Sequence, residues 1–187
     1  MDLVLRRELI DILVREAYFE RQVTLSSGKV SDYYLDCRPA MFLPRAMFLV
    51  GELMLESVTA AGVAQIGGMA VAAIPVISAI IAAAYRHDFD LRGCFVRKET
   101  KAHGTQKRIE GAFRPALKTA VLDDAITTGG STLEALAALR EARANVTHCF
   151  ALVDRNEGGR EALAAAGLNY HFLFDAGEIR AAARARK

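Results

Sequence analysis

Residues 121–132, VLDDAITTGGST, set two adjacent carboxylates, Asp123 and Asp124, against a run of hydroxyls and glycines. Gly129 and Gly130 let backbone amides approach an anion closely, a helix beginning at this point would favour negative charge, and Thr127, Thr128, Ser131 and Thr132 add hydroxyl donors. Such a turn is a phosphate cradle. It is not the nucleoside-triphosphate loop, because no lysine follows the glycines. Two acids next to a phosphate site are awkward unless the ligand presents hydroxyls or brings a divalent cation. A ribose phosphate does the first and magnesium the second. Asp123 and Asp124 would then grip the sugar while the turn holds its phosphate. The plainer alternative is a strand end followed by a Ser/Thr helix cap.

A second chemical stretch is FVRKETKAHGTQKRIEG, residues 95–111. Arg97, Lys98, Lys101 and His103 place four potential cations in seven residues, and Gln106, Lys107 and Arg108 follow. That density is self-repelling unless an anion sits among it. Composition alone reads it as a solvated basic loop.

These stretches need elements to hold them. Residues 119–122 form a buried strand and residues 132–143, rich in Ala and Leu, a helix, so the turn between them lies at the carboxyl edge of a sheet, where open α/β folds bind ligands. Apolar residues at helical spacing predict further helices over 3–19 and 45–61. GVAQIGG, LRGCFVRK, VTHCFALVD and YHFLF read as strands, with a shorter one near residues 33–37. Strands alternating with helices predict an α/β fold, a mostly parallel central sheet flanked by helices. At 187 residues, 52% apolar, one domain over 1–187 is expected. The tail RAAARARK, with Arg180, Arg184, Arg186 and Lys187, reads as a solvated, fraying helix end.

Composition narrows the partners. A net charge of +2 from 24 basic and 22 acidic residues gives no global field for nucleic acid. Cys37, Cys94 and Cys149 are an odd, widely spaced set without Cys-x-x-Cys, which argues against a disulfide framework and a structural zinc site and suits a reducing cytosol. The amino terminus lacks the layout of a signal peptide, and the longest apolar run, residues 69–84, contains Pro75 and stops short of the ~20 residues a spanning helix needs. A cytoplasmic protein with no membrane or nucleic-acid partner is expected.

VLDDAITTGGST resembles the phosphoribosyl-diphosphate motif of type I phosphoribosyltransferases, and the string R-K-x-x-K-x-H-G at residues 97–104 resembles the catalytic loop of the orotate phosphoribosyltransferases. Three further segments match in order. TLSSGKVSDYYLD, residues 24–36, resembles the amino-terminal hood over the base; GGMAVAAIP, residues 67–75, the pyrophosphate loop; and LVDRNEGG, residues 152–159, the strand end carrying an orotate-contacting arginine. The similarity runs from Val23 to Gly159.

The resemblance implies a type I phosphoribosyltransferase fold with a small N-terminal hood. It also implies transfer of a phosphoribosyl group to orotate, giving orotidine 5'-phosphate and pyrophosphate, with Mg2+ carried mainly by the substrate near Asp123 and Asp124. By resemblance, Lys101, His103 and Asp124 are catalytic. Arg97, Lys98, Asp123, Asp124, Ala125, Thr127, Thr128, Gly129, Gly130 and Ser131 bind phosphoribosyl diphosphate, and Thr127 and Arg155 bind orotate. A flexible loop, about residues 99–110, closes over the active site across a homodimer interface. Closure keeps water from an oxocarbenium-like ribosyl centre, and Lys101 or His103 stabilises or protonates the departing pyrophosphate.

Two positions depart from the pattern: Ala72 and Ser26 stand where some family members carry basic residues, so side-chain roles there are not carried over, and Lys29 is the candidate substitute for the latter. Without the resemblance, Arg155 reads as a surface ion pair with Asp154 or Glu157. A purine phosphoribosyltransferase would share residues 121–132 but lack the lysine-histidine loop. A regulator sensing phosphoribosyl diphosphate is the rival from another class. A DNA-binding version would need a helix-turn-helix ahead of Val23, for which the segment is too short, and an RNA-binding one a basic face outside the loop. There is no room for a fused decarboxylase barrel of ~250 residues.

Overall fold

The computed structural model describes residues 2–24, 30–99 and 108–186. Helix α1 (Leu3–Glu16) starts where the Asp2 carboxylate accepts the amides of Val4 and Leu5 at 2.8 and 3.1 Å. It stops before the expected residue 19, because Tyr18 and Phe19 leave it as strand β1 (Tyr18–Phe19). Strands β2 (Val23–Thr24), β3 (Val30–Ser31) and β4 (Tyr34–Leu35) follow, β1 pairing antiparallel with β4 and β2 with β3. These two short ladders form the small N-terminal subassembly, whose residues Ser26, Gly28 and Lys29 lie outside the described residues.

Helices α2 (Arg38–Met41) and α3 (Pro44–Ala60) lead to β5 (Gln65–Met69). Helix α4 (Ala73–Arg86) carries Pro75 in its first turn, where a missing N–H leaves no intrahelical bond unmade. Then come β6 (Arg92–Val96), β7 (Ile109–Gly111), β8 (Lys118–Ile126), α5 (Gly130–Glu141), β9 (Asn145–Asp154), α6 (Gly159–Ala165), β10 (Asn169–Asp175) and α7 (Ala176–Arg184).

Six strands form one sheet in the order β10-β9-β8-β5-β6-β7, parallel except for β7. Leu122, Ile66 and Phe174 face an apolar layer from α1, α3, α4 and α7, while Val121, Cys94 and Cys149 face α5 and α6. Burial on both faces explains the near-continuous apolar runs of β8 and β9.

Topology places the site. From β5 the chain winds outward to β6 and β7, then returns to β8 on the other side of β5 and continues through β9 to β10. The reversal between β5 and β8 is a switch point, and parallel pairing brings the ends of β5, β6, β8 and β9 to one edge.

Two expectations shift. Residues 109–111 belong to β7, paired with Cys94, Phe95 and Val96 of β6, so Ile109 and Glu110 of the loop expected over 99–110 are strand, while its residues 100–107 lie outside the described residues. The tail is not a fraying end: α7 is fixed by a capping box between Asp175 and Glu178 and buries Ala176, Ile179 and Ala183. Arg180 pairs with Asp32 and Arg186 with Asp11.

Candidate active site

Strand β8 carries both acids within it, farther along than the expected strand over 119–122. Asp123 and Asp124 are 4% and 8% exposed. Asp123 Oδ2 accepts the hydroxyls of Ser131 at 3.0 Å and Thr132 at 2.9 Å, and Oδ1 accepts the Asp124 amide at 3.0 Å. Both hydroxyls, which the sequence also offers to a phosphate, donate here to Asp123 and tie the start of α5 to β8. Asp124 Oδ1 accepts the amide of Ala125 at 2.8 Å.

Burial pushes the Asp124 carboxyl up to about 7, and the neighbouring Asp123 charge adds to the rise. Asp123 is also raised by burial, against which the Thr132 and Ser131 hydroxyls favour its ionised form. Such a pair is poised to ionise fully when a ligand brings hydroxyls or a cation.

The turn after β8 is Thr127, Thr128 and Gly129, with Gly129 left-handed at φ 83°. Gly129 has no side chain with which to cap α5, so the amides at the helix start are free to meet an anion. Thr127 is half-buried and Thr128 exposed. Helix α6 presses on the turn from outside: a Cβ at Gly159 would lie 2.5 Å from Ile126 Cγ2 and 2.7 Å from the Thr127 carbonyl oxygen.

On the next strand, Arg155 follows the end of β9 and its amide donates to the Ile126 carbonyl at 2.9 Å. Asp154 is occupied by the Asn156 amide at 2.7 Å and Arg160 Nε at 2.5 Å. Arg155 therefore turns to Glu157, with Nε 3.1 Å from Oε1, and this pair is buried, the two side chains 6% and 17% exposed. The contact lacks the alignment of a hydrogen bond, and both Nε and Nη2 of Arg155 are buried without a hydrogen-bond partner among the described residues. Buried donors in that state carry an unmet demand for an acceptor. Cys37, fully buried before α2, has its thiol pushed well up by burial, with the Asp124 charge adding to the rise.

At the β6 end, the Arg97 amide donates to the Arg108 carbonyl at 2.9 Å and Arg108 Nε to the Arg97 carbonyl at 3.2 Å. Arg108 also pairs with Glu134 of α5, which ties the start of β7 to the helix that follows the Thr127–Gly129 turn. Arg97 and Lys98 line a hollow with Ala70, Val71, Ile74, Phe95 and Glu99. Lys101 and His103 lie outside the described residues.

The edge thus gathers Asp123, Asp124, Ala125, Thr127, Thr128, Gly129, Gly130, Ser131 and Arg155, with Arg97 and Lys98 at its β6 end. Sequence reasoning missed Tyr33 and Arg180: the Arg155 guanidinium lies 5.8 Å from the Tyr33 ring centroid and that of Arg180 5.5 Å from the same ring. The signal was present in DAGE, residues 175–178, a capping-box pattern announcing a docked helix.

No family model matches the chain. Among known proteins, it is 41% identical over 171 residues to the orotate phosphoribosyltransferase of Rhodopirellula baltica, covering 88% of this chain and 89% of the relative. The crystal structure of Mycobacterium tuberculosis orotate phosphoribosyltransferase with Fe(III) dicitrate superposes with a TM-score of 0.83 at 36% identity, over 94% of this chain and 98% of that one. The same enzyme in complex with 5-phospho-α-D-ribosyl 1-diphosphate gives 0.79 at 32% identity, over the same shares. Identity at this level across nearly the whole length means that the chain belongs to the orotate phosphoribosyltransferase family.

Proposed function

We propose that the carboxyl edge of the sheet divides the family's reaction among the residues gathered there. The reaction is transfer of the phosphoribosyl group of 5-phosphoribosyl 1-diphosphate to orotate, giving orotidine 5'-phosphate and pyrophosphate in pyrimidine biosynthesis. The amides at the start of α5 and the Thr127 and Thr128 hydroxyls hold the 5'-phosphate. Asp123 and Asp124 take the ribose hydroxyls, and an ionised Asp124 stabilises positive charge as the bond to pyrophosphate breaks. Arg97 and Lys98, which line the hollow beside Ala70 and Val71, receive the pyrophosphate. Arg155 holds the orotate carboxylate, with Thr127 beside it, so that a ring nitrogen faces the ribosyl carbon.

The donor set suits Mg2+ brought by the substrate. A cation on the diphosphate would face the two raised carboxyls of Asp123 and Asp124. When bound, the cation neutralises diphosphate charge. Lys101 and His103 stabilise the leaving group from a loop donated across a homodimer, each subunit being a single domain over 1–187. No helix among the described residues is long and apolar enough to cross a membrane, and a cytoplasmic enzyme is the fitting reading.

The observation that carries this reading is Arg155: a buried guanidinium with unpartnered N–H groups, beside a sugar-phosphate site, asks for a planar anion. Orotate differs from uracil by such an anion. Loss of orotate absorbance with phosphoribosyl diphosphate and Mg2+ should proceed in the wild type and not with uracil. Arg155→Ala should raise the orotate KM by about 10- to 100-fold, the scale of a charge-assisted bidentate contact. Turnover of uracil at a comparable rate, or an unchanged orotate KM in Arg155→Ala, would sink the assignment.

A further inference from the structure

A buried arginine that must bind a carboxylate faces a conflict. Whatever holds it in place tends to occupy the N–H donors that the ligand needs. In this chain the guanidinium of Arg155 is steadied by the oblique Glu157 carboxylate at Nε and by the ring of Tyr33, 5.8 Å away. An aromatic face attracts a guanidinium through its quadrupole without accepting its N–H groups in line. Among the described residues, the buried Nε and Nη2 of Arg155 accordingly donate no hydrogen bond.

Tyr33 is itself fixed. Its ring stacks on Tyr18 with centroids 5.5 Å apart and planes 24° from parallel, and Arg180 of α7 lies 5.5 Å from the same ring. Arg180 pairs with Asp32, the residue before Tyr33. Helix α7 is anchored in turn: Ile179 is fully buried, and Arg6 of α1 reaches Glu178 at 2.6 Å and the Leu173 carbonyl at 3.0 Å. A continuous set of contacts thus runs from the C-terminal helix to the acceptor arginine.

We propose that Tyr33, clamped by Arg180, is a positioning residue for Arg155 and so sets affinity for the acceptor's carboxylate. This rests on the reading of Arg155 as the orotate-binding group. Full-length Tyr33→Leu, Tyr33→Phe, Arg155→Ala, Arg180→Ala and the Arg155→Ala/Tyr33→Leu double variant are assayed for KM of each substrate, kcat and Tm.

Tyr33→Leu should raise the orotate KM about 3- to 30-fold, the span of a partly desolvated cation–π contact, with the phosphoribosyl-diphosphate KM unmoved. Tyr33→Phe keeps the ring, and its orotate KM should lie far closer to wild type than that of Tyr33→Leu. Arg180→Ala should raise the orotate KM more weakly, and it serves as the test if Tyr33→Leu does not fold. Because Tyr33 acts through Arg155, the double variant should be no worse than Arg155→Ala alone. A normal orotate KM in Tyr33→Leu beside a raised one in Arg155→Ala overturns the positioning role and leaves the function standing. Additive losses overturn it too, since Tyr33 would then touch the acceptor itself. An unaffected Arg155→Ala removes the reading of Arg155 and this inference with it.

Discussion

At the scale of single residues, Asp124 shows how a site trades stability for chemistry. Its carboxyl sits at about 7 when folded, well above the ordinary 3.8, chiefly because it is buried and secondly because Asp123 is beside it. The folded protein therefore holds a proton that the unfolded chain releases between about pH 4 and 7, and the free enzyme loses stability as pH rises through that window. Above the folded value the loss is complete, roughly 2–4 kcal/mol for a shift of this size. Asp124→Asn removes the charge and keeps the shape. Its melting temperature should exceed that of the wild type by about 4–10 °C at pH 8 and match it near pH 4, while turnover falls by about a hundredfold or more. A variant less stable than wild type at pH 8 would mean that the carboxylate is stabilised in the free protein and not merely confined there. The presence of both acids was legible in the sequence as an oddity, two charges closing an apolar strand. That Asp123 is the anchor for Ser131 and Thr132 was not, since local spacing shows which hydroxyls stand near a turn but not which way they point.

At the scale of elements, the turn over residues 127–129, proposed above to hold phosphate, depends on a helix that does not belong to it. Gly159 opens α6 so close to the end of β8 that no side chain fits between them. Gly159→Ala would put a methyl group within 2.5 Å of Ile126 Cγ2 and 2.7 Å of the Thr127 carbonyl oxygen, so either α6 or the turn must move. Overpacking of this kind costs about 1–3 kcal/mol. If the turn yields, affinity for phosphoribosyl diphosphate measured by calorimetry should weaken by about tenfold, since a misplaced donor loses much of its hydrogen bond. Unchanged affinity with a lowered melting temperature would show that α6 gives way instead. The pair of glycines at 158–159 was visible in the sequence as part of a strand-end segment, but the reason for the second is tertiary. The same limit explains β7: three residues after a polar stretch carry no periodicity, and only pairing with β6 makes them a strand.

At the scale of the whole molecule, what could be read from the sequence was the alternation of strands and helices, because a doubly covered parallel sheet writes its burial as apolar runs. What could not be read was closure between the chain's ends. Arg180 and Arg186 looked like solvent-facing charge, yet they pair with Asp32 and Asp11, some 148 and 175 residues away in sequence. The homodimer proposed above poses a still larger version of this problem. If Lys101 reaches the neighbouring subunit's site, then Lys101→Ala and Asp124→Asn damage different parts of different sites. Each homodimer should be nearly inactive. Mixing equal amounts and allowing subunits to exchange gives heterodimers in which one site combines an intact edge with an intact loop, and the mixture should recover about one quarter of wild-type activity for random pairing in a two-fold dimer. A loop serving its own subunit predicts no recovery, because the subunit with intact acids would carry the damaged loop. Subunit exchange followed by mass spectrometry, alongside the orotate absorbance assay, separates that outcome from a failure to mix.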